Sequence, residues 1–300
     1  MRLSLLFLIL SGLACHAPSA APSSSSSSAS APAPADECAG TERESTVGST
    51  IADAVAVPTS YRRAPVSKNS FGAWLRSLLL RPGHPDVLLY DGRKKGNQSA
   101  HYAVLDLDIG DKDIQQCADA VIRLRAEFLF AGSCQEEIVF HFTNGDIARW
   151  EDWRGGLRPH IAGNTVSWRQ VASRDGSYAN FRAYLETVFM YAGSASLERE
   201  LLPVENSAQP EIGDVFIRGG FPGHAVIVVD LAQNEAGERI FLLAQSYMPA
   251  QDIQILKSFE DISPWYHARS GGELLTPEWV FDHADLKRFP RSRCEAGHTQ

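Results

Sequence analysis

Three side chains of this 300-residue chain have the types and the order of a thiol-based catalytic site: Cys117, His224 and Gln245. A Cys thiol becomes a nucleophile when a nearby imidazole takes its proton, and a third polar group can hold the ring in the productive orientation. Such a site attacks a carbonyl carbon, as in the cleavage of an amide or peptide bond. The elements predicted around the three residues decide whether they can meet.

Cys117 lies near the start of a predicted helix, Asp113–Phe130 (DIQQCADAVIRLRAEFLF), on its apolar stripe. The unpaired N–H groups of a helix start lower the pKa of a thiol and can stabilise an oxyanion. We therefore expect the backbone N–H of Cys117, aided by the side chain of Gln115 or Gln116, to form an oxyanion site. The alternative is that Cys117 is a small apolar residue of a core stripe.

His224 lies in the segment Gly213–Asp230 (GDVFIRGGFPGHAVIVVD). Two strands, Val215–Ile217 and Ala225–Val229, are predicted here on either side of a turn rich in Gly and Pro. The imidazole stands where the second strand begins. A titratable ring at the mouth of a buried strand is either a satisfied polar group of the core or a catalytic base.

Gln245 ends the next predicted strand, Arg239–Gln245, 21 positions after His224 (245 − 224). If the two strands form a hairpin, a polar side chain near the end of the second strand reaches the imidazole across the pair. We predict that the Gln245 carbonyl orients the ring. Ser246 is the alternative, because one position of register exchanges the faces of a strand.

The remaining elements alternate without the regular order of a parallel sheet. Further helices are predicted over Ser70–Leu80 and Asn180–Ala192, strands over Asp86–Tyr90, His101–Asp108, Ile138–Phe142 and Ile253–Leu256, and a loop-rich stretch over Asp152–Ser173. The helix that begins near Asp113 is predicted to have Asp111 or Asp113 as its cap, and only strands are predicted after residue 192. Helices followed by a run of strands predict an α+β domain with helices packed on one side of an antiparallel sheet.

The N-terminal residues predict export. Arg2, the apolar run Leu3–Leu10 and small residues precede Cys15, as in a bacterial lipoprotein signal whose Cys is lipidated. Cleavage near Ala20, giving a secreted protein, is the alternative. We predict a signal peptide over 1–15, a flexible Ala/Ser/Pro-rich tether over 16–40 and one domain over 41–300, with an insertion around 149–178. The expected location is the cell envelope, with the membrane as a partner through the lipid anchor.

The cysteines leave two alternatives open. Without Cys15, the chain has Cys38, Cys117, Cys134 and Cys294 in an oxidising compartment. They can form two disulfides, which would make Cys117 structural. Alternatively Cys117 stays a free thiol and two of the others pair, for instance Cys38 with Cys294.

Composition and the other motifs exclude several functions. The net charge of −8 without a basic run argues against nucleic acid as a partner. Nine histidines occur without any metal-ligand spacing, so we expect neither a metal site nor another cofactor. Aromatic residues can line a groove for a sugar or a peptide, although they lie more often in a core; the candidates are Trp153, Trp168, Trp265, Tyr266 and Trp279.

Two resemblances follow from these motifs. Gln116-Cys117 at a helix start, a GDV strand, GHAVIVV and a strand with a polar end resemble CHAP-type and NlpC-type cysteine peptidases and amidases. This resemblance implies a papain-like fold and the order Cys, His, polar residue. Over roughly Ile51–Pro290 the chain also resembles an uncharacterised bacterial lipoprotein family, domain of unknown function 4846, which implies an envelope location and no known activity.

Together these observations predict a lipid-tethered envelope protein with a thiol hydrolase site. Its substrate would be an amide or peptide bond, in peptidoglycan or in another envelope peptide. The alternative function is a non-catalytic lipoprotein that binds a protein partner or a wall fragment on the same scaffold.

Overall fold

The structure is a computed structural model that describes residues 48–295 of the chain. The predicted signal peptide, Cys15, the predicted tether over 16–40 and Cys38 lie outside the described residues. Within 48–295, no helix has the length and apolar character needed to cross a membrane.

The described part contains short and medium helices and many short strands. The helices are α1 (Ile51–Ala54), α2 (Phe71–Arg76), α3 (Cys117–Ala131), α4 (Trp150–Arg154), α5 (Tyr178–Tyr191) and α6 (Ser194–Glu200). The strands are β1 (Tyr61–Arg63), β2 (His101–Val104), β3 (Val139–His141), β4 (Ile147–Arg149), β5 (Leu157–Ala162), β6 (Thr165–Gln170), β7 (Leu202–Pro203), β8 (Val215–Arg218), β9 (His224–Asn234), β10 (Arg239–Gln245), β11 (Gln254–Leu256), β12 (Tyr266–His267), β13 (Glu273–Leu275), β14 (Val280–Asp282) and β15 (Leu286–Arg288).

Nine of these strands form one antiparallel sheet. Its order is β2-β11-β10-β9-β8-β15-β7, with β1 on β9 and β12 on β10. Alternate side chains of β9, such as Ile227 and Val229, pack in one core with the buried residues of the helices. The other face, which includes Val226 and Val228, packs against residues of β12–β15. The prediction of an α+β fold with an antiparallel sheet is therefore confirmed, whereas the papain-like fold stays a prediction.

Three predicted elements differ from the structure. Asp86–Tyr90 forms only isolated bridges instead of a strand. The stretch Asp152–Ser173 is not mainly loop, because it contains the end of α4 and the β5–β6 hairpin. Helix α6 follows α5 where only strands were predicted. The hairpin strands and α6 are largely exposed or half-buried and lack the apolar periodicity on which the prediction depended.

A buried carboxylate joins the sheet to the helical layer. The Asp230 side chain in β9 is fully buried and accepts hydrogen bonds from Arg63 Nε at 2.7 Å and Arg76 Nε at 2.5 Å. Arg76 also donates to the backbone carbonyls of Ala64 and Leu231. A buried charge with two charged partners and satisfied donors fixes α2 and β1 on β9.

The cysteine pairing resolves the alternatives. Cys134, just after α3, forms a disulfide with Cys294, and their Cα atoms are 6.0 Å apart. Cys117 is a free thiol. The example pairing of Cys38 with Cys294 is therefore wrong, and so is the alternative in which Cys117 is a structural half-cystine.

Candidate functional site

Cys117 is the first residue of α3. The residue before it, Gln116, is the N-cap and has an extended backbone. Its N–H donates to the Asp119 carboxylate at 3.0 Å. The helix therefore starts later than predicted, because Asp119 bonds back to the cap from inside the first turn, and neither Asp111 nor Asp113 is the cap. The Cys117 thiol therefore lies at the N-terminus of α3.

The thiol of Cys117 is half-buried, and its surroundings oppose ionisation. Burial, followed by the charge of Asp119, raises the pKa of Cys117 to about 11. The backbone N–H groups of Ala225, Ala118 and Cys117 lower the pKa of the thiol by a smaller amount. The net direction is opposite to the lowering expected from the helix start, because desolvation outweighs the helix N–H groups here.

His224, the first residue of β9, is 1% exposed. Its Nε2 lies 2.8 Å from Gln245 Oε1. The ring packs among Tyr247, Trp279 and Phe281, with centroid distances of 4.8, 5.3 and 5.8 Å. Burial lowers the pKa of His224 to about 4, so the imidazole is neutral at physiological pH.

The strand register explains why Gln245, and not Ser246, contacts the ring. Ala244 in β10 pairs with Ile227 in β9, so Gln245 points to the same face as His224. Ser246 points to the other face, where its Oγ is buried and donates to the Gln115 carbonyl at 3.1 Å. The predicted contact of Gln245 with the His224 ring is present. Ser246 instead connects the end of β10 to the segment before α3 by a hydrogen bond.

The two candidate oxyanion side chains differ in their placement. The Gln115 side chain is buried, and its Oε1 accepts from Arg123 Nη1 at 2.7 Å. It does not line the cavity that contains the thiol. Gln116 is half-buried and lines that cavity, and its Nε2 donates to Asp113 Oδ1 at 3.1 Å. Of the two, only Gln116 is placed to contact a ligand beside Cys117.

A cavity of about 720 Å³ opens over Cys117 and His224. The start of α3, the α5–α6 junction, the β8–β9 loop, Tyr247 and Trp279 line it. No hydrogen bond joins Cys117 Sγ to the imidazole in the structure of residues 48–295. Both residues nevertheless line the same cavity, and the backbone N–H of Ala225, the residue after His224, is among the groups that lower the pKa of Cys117.

The β8–β9 loop brings His224 to this cavity by a tight glycine turn. A Cβ atom on Gly223 would lie 2.4 Å from the Gly220 carbonyl oxygen and 2.5 Å from Ser194 Oγ. Only glycine therefore allows the loop to pack on the start of α6 directly before the imidazole.

Comparison with known proteins identifies the family of the chain. Residues 51–288 match the profile described as Domain of unknown function (4846). The chain belongs to this family. No curated protein and no solved structure matches it. The matched region contains Cys117, His224 and Gln245, so the site lies in the domain that defines the family.

In this member of Domain of unknown function (4846), sequence reasoning missed a carboxylate behind Gln245. Gln245 Nε2 donates to Glu278 Oε2 at 2.7 Å. Lys95 Nζ lies 2.5 Å from the same oxygen, and Asn97 Nδ2 lies 3.3 Å from Oε1. Glu278 comes from the turn between β13 and β14, and the other two come from the polar loop 91–99. No motif connects these segments, so no sequence signal could have found the group.

The predicted aromatic groove is present only in part. Trp279 lines the cavity, whereas Trp153, Trp265 and Tyr266 are buried in the core and Trp168 stacks on Phe142. Tyr247, which was not predicted, contacts the His224 ring and lines the cavity. Within residues 48–295, no group of three or more His, Cys, Asp or Glu side chains is arranged to hold a metal ion.

Proposed function

We propose that this protein is a thiol hydrolase that cleaves an amide or peptide bond, with a papain-like site resembling those of CHAP-type and NlpC-type enzymes. Cys117 is the nucleophile, His224 the proton acceptor and Gln245 the orienting residue. The observation that carries the proposal is that one cavity is lined by both Cys117 and His224. The Cys117 thiol lies at the start of α3, and Gln245 holds the His224 imidazole through Nε2. That contact leaves Nδ1 as the nitrogen for proton transfer.

The pKa directions select a general-base mechanism. Because burial keeps both the thiol and the imidazole neutral, His224 Nδ1 takes the Sγ–H proton as sulfur attacks the carbonyl carbon. The same proton then passes to the amine as the C–N bond breaks, which leaves an acyl thioester on Cys117. Water, deprotonated by His224, releases the acid and restores the thiol. The backbone N–H of Cys117, at the start of α3, stabilises the negative charge that develops on the attacked carbonyl oxygen.

The cavity lining limits the substrate group that enters it. Among residues 48–295, no Lys or Arg lines the cavity, whereas Met190, Phe221 and Met248 are exposed apolar side chains on its wall. A carboxylate entering here would lose its hydration without a cationic partner. The entering group therefore carries no negative charge and is partly apolar. A peptidoglycan stem peptide or another envelope amide is the source that the predicted signal peptide and the family resemblance favour.

A non-catalytic binding protein is the second candidate, and two observations favour it. Both pKa shifts disfavour the thiolate and the imidazolium, and no hydrogen bond joins Cys117 to His224 in the described residues. With this function, the same cavity binds a part of a protein partner or of a wall fragment that carries no negative charge, without turnover.

Hydrolysis assays separate the two functions. The protein is incubated with peptidoglycan fragments and with a panel of peptide amides, and mass spectrometry detects new termini and an acyl adduct on Cys117. We expect both products with the wild type and with His84→Ala, an exposed-histidine control. Cys117→Ala and His224→Ala should produce neither. Turnover that persists in Cys117→Ala, or fragment binding without turnover in the wild type, would reject the hydrolase.

A further inference from the structure

Glu278 determines which way the Gln245 amide faces. The Gln245 side chain lies between two partners, the His224 ring at Oε1 and the Glu278 carboxylate at Nε2. An ionised carboxylate accepts hydrogen bonds and cannot donate them. A reversed amide would place its carbonyl oxygen against the carboxylate. The chemistry of the neighbouring carboxylate therefore determines which end of the Gln245 amide faces His224.

The orientation of Gln245 in turn fixes the proton on the imidazole. Because the oxygen facing His224 Nε2 can only accept, Nε2 must carry the hydrogen, and Nδ1 keeps its lone pair. The opposite tautomer would place a lone pair against an oxygen at 2.8 Å.

We propose that Glu278, paired with Lys95, is a positioning residue that holds His224 in the tautomer with a basic Nδ1. The tautomer itself is independent of catalysis. Its use as the acceptor of the Cys117 proton rests on the proposed function.

Lys95 is the charged partner of Glu278 in this chain of contacts. Its side chain is 6% exposed, and Nζ contacts the same Glu278 oxygen that accepts from Gln245. Burial lowers the pKa of Lys95, and the contact with Glu278 opposes that shift. The two partners thus depend on each other: Lys95 Nζ pairs with the Glu278 oxygen that also accepts from Gln245, and that oxygen is the charged partner of Lys95. Neutralising either partner alone would leave an unpaired charge in a nearly dry site.

A charge exchange, Lys95→Glu with Glu278→Lys, tests the proposal while keeping a buried ion pair. Position 278 then carries a donor, so the Gln245 carbonyl turns toward it and the amide NH₂ faces His224. Nitrogen-15 NMR of His-labelled protein measures the tautomer, and His224→Gln assigns the signal. We expect the Nε2–H form in the wild type and a majority Nδ1–H form in the exchanged variant. Glu273→Lys, an exposed charge reversal in the same hairpin, should keep the Nε2–H form.

A second variant keeps the test decisive if the exchanged protein does not fold. Lys95→Met with Glu278→Leu removes both charges and the acceptor, so both tautomers should be populated. A pure Nε2–H form in either folded variant would overturn the proposal. Because the NMR measurement needs no turnover, a tautomer change in an inactive protein supports the inference and rejects only the hydrolase. If the wild type hydrolyses a substrate, the exchange should lower the rate by about 10- to 100-fold, as for other partners that orient functional histidines.

Discussion

The resting state of the Cys117–His224 pair can be worked out from the two pKa values. Moving the proton from a thiol with a pKa of about 11 to an imidazole with a pKa of about 4 spans seven units (11 − 4). That difference costs about 10 kcal/mol. A thiolate and an imidazolium in contact attract each other by about 4 kcal/mol at an effective dielectric constant of 20. The neutral pair is therefore favoured by roughly 6 kcal/mol, a population ratio on the order of ten thousand.

Alkylation by iodoacetamide measures this balance. Labelling of the Cys117 peptide is followed by mass spectrometry between pH 5 and pH 10, with circular dichroism as the check on folding. We expect the rate to rise about tenfold per pH unit, less steeply near pH 8 where Asp119 ionises, and without a plateau, since the thiolate fraction grows below the pKa. His224→Ala should change the profile little, because the ring is neutral over most of this range. A rate plateau below pH 7 that disappears in His224→Ala would refute the neutral pair.

A substitution at Asp119 provides a second test in the same alkylation experiment. Burial raises the pKa of Asp119 to about 8, so its carboxyl is largely protonated at neutral pH and ionises above pH 8. Only the ionised form repels a thiolate on Cys117. Asp119→Asn should therefore raise the alkylation rate above pH 8 and leave it nearly unchanged below pH 7. An equal acceleration at all pH values would show that Asp119 is charged throughout and would contradict its assigned pKa.

Three further predictions concern stability. Asp230→Ala should lower the free energy of unfolding in urea by about 3–5 kcal/mol, because it leaves two arginines without their buried partner; a loss below 1 kcal/mol would contradict the role of this pair. Gly223→Ala should cost about 1–3 kcal/mol and slow any hydrolysis, because the added Cβ meets a backbone carbonyl oxygen at 2.4 Å. Gly176→Ala, whose Cβ meets nothing within 4 Å, is its control in thermal unfolding. Replacing both Cys134 and Cys294 by Ser should cost about 2–4 kcal/mol and leave Cys117 alkylation unchanged; altered alkylation would indicate that the disulfide shapes the site.

The contact between His224 and Gln245 could be predicted because its determinants are local. A glycine-rich turn placed His224 at the start of β9, and the length of a hairpin placed Gln245 at the end of β10. The alternation of strand side chains then left only Gln245 or Ser246 as partner. Catalysis by these residues stays a prediction, because their arrangement does not by itself establish turnover.

Other features depend on tertiary burial, which the sequence does not reveal. The pKa of Cys117 was predicted to fall because a helix start is visible in sequence, whereas the desolvation that raises it is not. Lys95 lies in a run of polar residues typical of a solvated loop, yet the fold buries it against Glu278. The β5–β6 hairpin was missed because neither strand has a buried face. In each case the difference between prediction and structure depends on how far the fold buries the residues from water.

The backbone N–H groups around Cys117 explain how a neutral Cys117–His224 pair can still catalyse hydrolysis under the proposed mechanism. Backbone N–H groups of Ala225, Ala118 and Cys117 lower the pKa of the thiol, although the sulfur carries no charge at rest. Donors fixed in a dry site stabilise charge only when it develops, first on sulfur and then on the attacked carbonyl oxygen. Burial raises the thiol pKa in the resting protein, and the same burial strengthens those donors during attack. A high pKa of the resting Cys117 thiol is therefore compatible with a hydrolase. Measured turnover, and not the fraction of thiolate at rest, distinguishes this site from a binding pocket.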